Sequence, residues 1–221
     1  MKKSILFLFS MLCAIAMNAQ LVSSHSASLT TSPKAPSRIT WMMRVGIGTN
    51  TFAGDKIWED VGSKAGYFFG FEFNKTLGKR GAYWGMDFAL ASRGYKFSED
   101  EYETKLAAHA ILWSPFIFGW KIDVPNSKFS IDPHIGAYVS CDYAGKYTEE
   151  TEYYGEKESE EVKIGDVDDY NRFDVGLKVG VGVWYNKKYN LDFTYQRGFF
   201  TDNTDVDGGT SNFWFRLGYA F

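Results

Sequence analysis

From Trp41 onward, apolar residues occupy every second position in a series of segments that are separated by turn-forming residues. In MMRVGIGT, Met43, Val45 and Ile47 alternate with an arginine and two glycines, and the final ten residues, NFWFRLGYAF, alternate in the same way. A period of two residues is that of a β-strand whose two faces meet different surroundings. The other segments with this pattern are GYFFGFEFN, AYWGMDFALASRGYKF, FSIDPHIGAYVSCDY, RFDVGLKVGVGVWY and YNLDFTYQ.

The segment TKLAAHAILWSPFIFGWKI, residues 104–122, alternates less cleanly because it is apolar on both faces. Its length and its place in the series predict a further strand, with Pro115 at a bulge or a weakly paired site. A buried helix is the alternative for such an apolar run. With this segment, the chain has about eight strands, each near or above the roughly ten residues that a tilted strand needs to cross a bilayer.

The composition of the two faces separates a membrane barrel from a soluble sandwich, which buries its apolar face and exposes a polar one. Here one face is heavily aromatic, and the other combines glycine with isolated charges. This contrast fits an outward lipid face and a narrow inward face. We therefore predict an all-β, eight-stranded, antiparallel up-and-down transmembrane β-barrel over residues 41–221. The aromatic residues expected near the strand ends are Trp41, Trp84, Tyr95, Trp113, Tyr143, Tyr185 and Tyr219.

The connections between the predicted strands alternate in length. Bacterial barrels have long outer loops and short periplasmic turns, so both termini are predicted to lie on the periplasmic side. The loop Ala144–Asp169 carries ten acidic and three basic residues, which predicts a solvated, mobile loop. The long set is Asn50–Lys64, Ser98–Glu103, Ala144–Asp169 and Phe199–Thr210, and the short set is Thr76–Gly81, Asp123–Ser127 and Asn186–Lys187.

Residues 1–19 have the form of a cleaved secretory signal peptide, with a basic start, an apolar stretch of 14 residues and Ala19 at the cleavage point. The apolar stretch is short for a transmembrane anchor. Residues 20–40, rich in Ser, Thr, Pro and Ala, predict a flexible periplasmic leader. Cleavage leaves Cys141 without a disulfide partner and changes the net charge from −3 to −5. An acidic chain argues against nucleic acid as a partner, and the export signal predicts the cell outer membrane as the location.

The segments SRGYKF, DPHIGAYVS, FDVGLKVGVGVWY, LDFTYQRGFF and FWFRLGYAF together resemble the PorT-like outer-membrane β-barrel family of small porin-like barrels. The resemblance is collective and covers most of Arg44–Phe221. It implies that the barrel-assembly machinery is a partner and that Phe221 is the C-terminal assembly signal. It also allows a porin-like transport or secretion-accessory role. The chain departs from the family pattern at Trp113, where an acidic residue often stands two positions before the proline.

The inward face of the predicted barrel carries acids and bases in nearly equal number. Unpaired charges in so narrow a space are costly, so these side chains are expected to pair. Eight strands leave a bore that side chains can fill, which favours an ion-pair network closing the lumen over a conducting or substrate-binding lumen. The predicted network comprises Arg44, Glu72, Asp87, Arg93, Asp132, His134, Asp174, Lys178, Asp192 and Arg216.

Three alternative functions are compatible with the predicted barrel. The first is a non-enzymatic structural or surface-interaction barrel; the second is the transport or secretion-accessory role; the third is a lipid-modifying enzyme. The third needs a nucleophile beside a base, and the short His-x-Ser spacing of lipid-editing barrels is absent, so no catalytic residue and no cofactor are predicted. Expected partners are outer-membrane lipid, lipopolysaccharide and a periplasmic or surface protein. An oxygen-rich stretch supplies only weak calcium candidates, namely Asp202, Asp205 and Asp207.

Overall fold

The computed structural model describes residues 39–54, 61–78, 81–99, 102–153, 156–167, 170–199 and 208–221. The predicted signal peptide, residues 20–38 of the predicted leader, and Asp202, Asp205 and Asp207 lie outside these residues. The first strand begins at Ile39, two residues before the predicted start of the barrel. The strands are β1 (Ile39–Gly54), β2 (Val61–Gly62), β3 (Lys64–Thr76), β4 (Ala82–Glu99), β5 (Tyr102–Trp120), β6 (Ile122–Asp123), β7 (Phe129–Tyr153), β8 (Glu156–Lys163), β9 (Phe173–Tyr185), β10 (Tyr189–Gly198) and β11 (Gly208–Ala220).

Eight of these strands close into a ring in which each strand is antiparallel to both of its neighbours. The order around the ring is β1, β3, β4, β5, β7, β9, β10 and β11. β11 pairs back with β1 from Met42↔Ala220 to Gly54↔Gly208, so the ring itself has no edge strand. The ring confirms the predicted eight-stranded, antiparallel, up-and-down barrel. In the described part of the chain, no helix has the length and apolar character needed to cross a membrane.

Alternation sorts the side chains between the outside and the inside of the ring. On β1, Met43 and Val45 are 39 % and 46 % exposed, whereas Arg44 between them is 3 % exposed. Tyr95 departs from its predicted place near a strand end on the outside. It is 6 % exposed and packs edge-on against Phe52 inside the ring, because it lies in the same phase as the inward Arg93.

Residues 104–122 fall almost entirely in β5, so the helix alternative is wrong and the strand prediction is confirmed. The register of β5 on β7 shifts between Trp113 and Phe116, which places Pro115 in a bulge where its missing N–H disturbs the ladder least. The bulge changes the phase of alternation: Ser114 and Ile117, three residues apart, are both buried. Before the bulge, the segment is apolar on both faces because its inward residues, among them Leu106, Ala110 and Leu112, pack in apolar clusters.

The two ends of the ring differ. At one end, here called the turn end, short turns join the strands. Between β9 and β10, Asn186 and Lys187 have φ angles of 52° and 57°, and the Lys188 N–H donates to the Tyr185 carbonyl at 3.2 Å. This is the pattern of a type I′ turn, whose twist matches that of the strands it joins. At the other end, the hairpin end, β4, β5 and β7 continue beyond the ring.

The acidic segment Ala144–Asp169, predicted as a mobile loop, is mostly β-structure, and that prediction was wrong. β7 runs to Tyr153, and β8 returns beside it from Tyr153↔Glu156 to Lys146↔Lys163. On its other edge β7 pairs with the start of β5. Backbone pairing on both edges of β7 offsets the repulsion between acidic side chains. A prediction from charge alone does not take this pairing into account. We call the outer parts of β4, β5 and β7, together with β8, the extension.

Candidate functional site

Asp192 on β10 is the centre of the largest group of charged side chains in the lumen. Arg216 on β11 donates to it from Nε at 2.8 Å and from Nη2 at 2.5 Å, and both residues are fully buried. The second carboxylate oxygen of Asp192, Oδ2, lies 3.8 Å from Arg44 Nη2 and 3.5 Å from His134 Nε2. Arg44 in turn forms a salt bridge with Glu72. This cluster joins five strands across the bore.

A second cluster ties β9 to β4 and β5. The Lys178 ammonium forms a salt bridge with Asp87 and donates to Ser114 Oγ at 2.8 Å. Ser114 belongs to the β5 bulge, so the bulge turns a hydroxyl toward the buried lysine. Asp132 lies apart from this pair and accepts a hydrogen bond from Trp184 Nε1 at 2.8 Å.

A third cluster surrounds Arg93, toward the hairpin end. Its guanidinium lies 3.1 Å from Asp142 and 3.4 Å from Asp174. Asp174 also accepts hydrogen bonds from Tyr138 at 3.1 Å and from Thr210 at 2.7 Å. Asp142 is absent from the predicted network, although it lies two residues beyond the inward Ser140 and in the same phase. Extending the alternation by one step from Ser140 would therefore have predicted that Asp142 faces inward.

All ten predicted network residues lie inside the ring, and each is at most 7 % exposed. The structure brings eight of them into ion pairs with one another, distributed over the three clusters. His134 lies 3.5 Å from Asp192, and Asp132 is held by Trp184. Phe221 is 71 % exposed, and its N–H donates to the Trp41 carbonyl at 3.0 Å, beside the β1–β11 seam. Within the described residues, no group of three or more His, Cys, Asp or Glu side chains is placed to hold a metal ion.

Apolar side chains also fill the lumen, which the sequence-based prediction of a charged interior did not include. They form three clusters, and Trp214, Phe68 and Trp184 were visible in the sequence as aromatic residues in the inward phase. The clusters are Phe52, Tyr95, Leu106 and Ile164; Phe68, Ala89, Ala91, Ala110, Leu112, Tyr138 and Trp214; and Met42, Trp184 and Ala220.

Inward glycines leave room for these large side chains. A Cβ added at Gly180 would lie 2.5 Å from His134 Nε2 and 2.6 Å from the Phe193 carbonyl oxygen. The carbonyl belongs to the neighbouring strand and cannot move without breaking the ladder. The glycine-rich inward face of β9 is therefore a packing surface for side chains that cross the bore.

The outward face of the extension carries its own charged group. Lys96 and Lys105 stand directly opposite each other, and Glu103 bridges them at 2.9 Å and 2.5 Å. Hydrogen bonds from Lys105 and then from Lys96 lower the pKa of Glu103 to about 2. Because its folded pKa is depressed, this carboxylate supports the fold above its ordinary range and loses that effect only as the pH falls toward about 2.

Comparison with known proteins places the chain in a family. The outer membrane protein beta-barrel domain family matches residues 18–202, which is more than half of the chain. The chain belongs to this family. As a member of an outer-membrane barrel family, the chain is located in the outer membrane, and the apolar outward side chains of its ring face lipid. The narrower resemblance to PorT-like barrels stays a prediction.

Several solved structures are similar to this outer-membrane barrel in fold. Ail of Yersinia pestis, in complex with the heparin analogue sucrose octasulfate, is 17 % identical, with 83 % of this chain and 99 % of that chain covered and a TM-score of 0.41. Neisserial surface protein A is 14 % identical, with 82 % and 97 % covered and a TM-score of 0.43. OprG of Pseudomonas aeruginosa is 10 % identical, with 84 % and 97 % covered and a TM-score of 0.40. No curated protein matches the chain.

Proposed function

We propose that this barrel is a non-enzymatic protein of the outer-membrane surface, with a lumen closed by side chains and an extension that meets partners outside the cell. The observation that carries the proposal is the Asp192 cluster. Arg216, Arg44 and His134 converge on one carboxylate from different strands and occupy the bore. Water-filled conduction would require these buried ion pairs to separate, which costs several kcal/mol for each charge that loses its partner.

The length of the connections supports an orientation for the barrel. Bacterial barrels keep short turns in the periplasm and long connections outside. The turn at Asn186 and Lys187 therefore belongs to the periplasmic side, and the extension belongs to the cell surface. An extension of this size offers a protein partner a structured surface that includes the outward edge of β8.

The alternatives make different demands on the same residues. A porin-like or secretion-accessory barrel, as the PorT-like resemblance allows, requires a path past the three charged clusters. A lipid-modifying enzyme requires a base and a nucleophile that face lipid. His134 points into the lumen and lies beside Thr194 and Asp192, away from lipid. His109 faces outward, and its Nδ1 is engaged with the Tyr67 hydroxyl at 2.8 Å.

Conductance in a planar bilayer tests whether the lumen is closed. We expect the refolded full-length barrel to insert without producing channels at neutral pH and at about pH 4, where carboxylates begin to protonate. The buried pairs and the apolar clusters both oppose opening, and the apolar clusters do not titrate. A wide porin measured in the same bilayers is the positive control. Steady conductance at neutral pH, or channels that open at about pH 4, would show that the lumen is a path and would support the transport alternative.

Substitution of Phe221 tests the proposal that the barrel-assembly machinery recognises the end of β11. We expect Phe221→Ala to lower the fraction of folded barrel in outer-membrane fractions several-fold, measured by electrophoretic mobility with and without heating. The matched control is Phe213→Ala, because Phe213 lies on β11, which ends one residue before Phe221, and is also exposed, at 60 %. Equal losses of folded barrel in the two variants would show that the loss comes from removing apolar area that faces lipid and not from failed recognition of the C-terminal residue.

A further inference from the structure

A groove lies on the outward side of the barrel where β5, β7 and β8 leave the ring. Its volume is about 540 Å³, and its lining includes His109, Tyr143, Lys146, Lys163, Arg172 and Asp166. The remaining lining is mostly Ala and Gly, so there is open space between the charged side chains. We call this cavity the basic groove. It opens away from the lumen, because its charged and aromatic side chains point outward.

The charges in the basic groove are not balanced. Lys146 and Lys163 stand directly opposite each other on neighbouring strands, an arrangement that destabilises a sheet unless something neutralises it. Glu161 meets Lys146 at 2.5 Å, and Asp166 is the acid in the lining. Within the described residues, no carboxylate forms a salt bridge with Lys163 or Arg172.

The Lys96–Lys105 pair on the same face is the contrasting case. There, Glu103 bridges both ammonium groups, and Glu150 adds a contact to Lys105 at 3.0 Å. Among the described residues, acidic side chains of the extension neutralise the Lys96–Lys105 pair, whereas in the Lys146–Lys163 pair only Lys146 has a salt bridge. The positive charge that remains on Lys163 and Arg172 is local to the basic groove, where an external anion can neutralise it.

The position of the basic groove indicates which anion reaches it. Tyr67, His109 and Tyr143 stand side by side on the outward face, with ring centroids 5.8 Å and 6.3 Å apart. Amphipathic rings of this kind mark the membrane–water interface. Lys146 follows Tyr143 by three residues, which is roughly 10 Å along a strand and roughly 7 Å along the membrane normal at the usual tilt. That distance is within the headgroup layer of a bilayer.

We infer that the basic groove binds the phosphorylated headgroup of a glycolipid of the outer leaflet, whose acyl chains lie against the apolar outward face below it. Lysine ammonium groups bind phosphate as point charges, and the arginine fork adds paired donors. The small residues of the lining leave space for the headgroup. This inference concerns the lipid around the barrel and does not depend on whether the lumen is closed.

Lipid binding by the folded full-length barrel in detergent tests the inference, with native mass spectrometry as the readout. The probes are bisphosphorylated lipid A, the same lipid without phosphates, and inorganic phosphate. The test variant is K146A/K163A/R172A. The matched control is K75A/K128A/K188A, which removes the same charge from exposed positions at the turn end. Folding of each variant is checked by heat-dependent mobility, and the single variant Lys163→Gln replaces the triple variant if that one fails to fold.

We expect the bisphosphorylated lipid to bind at least tenfold more weakly to the groove variant, since each basic side chain near an anionic surface contributes about fivefold. For Lys163→Gln alone, the expected loss is about fivefold. The control variant is expected to change affinity less than twofold, and added salt is expected to weaken binding to the wild type. Equal binding of the dephosphorylated lipid, equal losses in the groove and control variants, or competition by inorganic phosphate at the same concentration would each overturn the inference.

Discussion

Replacing Asp192 by asparagine is expected to lower the free energy of unfolding of the barrel by about 3–5 kcal/mol. The change keeps the shape of the side chain but removes the charge on which Arg216, Arg44 and His134 converge. Arg216 is then left fully buried without its carboxylate, and a buried charge without a partner carries the full cost of its desolvation. Equilibrium urea unfolding of the refolded barrel in lipid vesicles, followed by tryptophan fluorescence, measures the loss.

Two further variants test whether the loss of stability comes from the uncompensated buried charge or from any substitution of an acidic residue. Asp123→Asn removes an acid from an exposed pair, in which Lys187 is 3.7 Å away and Asp123 is 66 % exposed, and we expect it to cost less than about 1 kcal/mol. The double variant D192L/R216L removes both charges and is expected to regain much of the loss, as well-packed apolar replacements of buried pairs do. A stability within about 1 kcal/mol of wild type for Asp192→Asn would show that Asp192 does not compensate the arginines.

Replacing Trp184 by alanine is expected to cost about 3–5 kcal/mol, the usual range for truncating a large buried aromatic residue. Trp184 is 2 % exposed and packs with Met42 and Ala220 at the turn end of the lumen. Its Nε1–H donates to Asp132, and Lys121 lies 3.9 Å from its ring centroid. The truncation therefore leaves a cavity and also removes the hydrogen bond that holds a buried carboxylate. The same unfolding measurement applies.

The matched control for this variant is Trp120→Ala. Trp120 ends β5 near the same turn end but is 50 % exposed on the outward face. We expect a clearly smaller loss, because lipid or detergent fills the space that the ring leaves. Equal losses of stability in Trp184→Ala and Trp120→Ala would show that losing a tryptophan at this depth of the membrane costs the same on either face. Packing inside the lumen would then make no special contribution.

Local alternation is what made most of the barrel predictable. The side-chain direction of a strand reverses at every residue, so the phase of Arg44 predicts the phase of its neighbours without knowledge of the partner strands. This rule placed all ten predicted charged residues inside the ring. It breaks where the backbone adds a residue, as at the β5 bulge around Pro115, because a bulge changes the phase beyond it.

The acidic segment shows a second limit of sequence-based prediction. Composition correctly described Ala144–Asp169 as strongly charged, but charge is a property of side chains, and the structure of this segment comes from its backbone. β7 gains one neighbour from β5, in a pairing that continues two strands already aligned by the ring, and another from β8, which folds back beside it. A strand that extends an existing sheet needs little apolar surface of its own.

The sequence by itself therefore determined the class of fold, the number of strands in the ring and the face on which each charge lies, because these follow from a period of two residues along a single strand. Only the tertiary structure decided which charges meet. Lys178 and its partner Asp87 are 91 residues apart, and Arg93 and Asp174 are 81 residues apart. Such pairs depend on the register and closure of the whole ring, and a one-residue slip between two strands would separate them. The basic groove has the same origin, since Lys146, Lys163 and Arg172 come together only after β8 folds back beside β7.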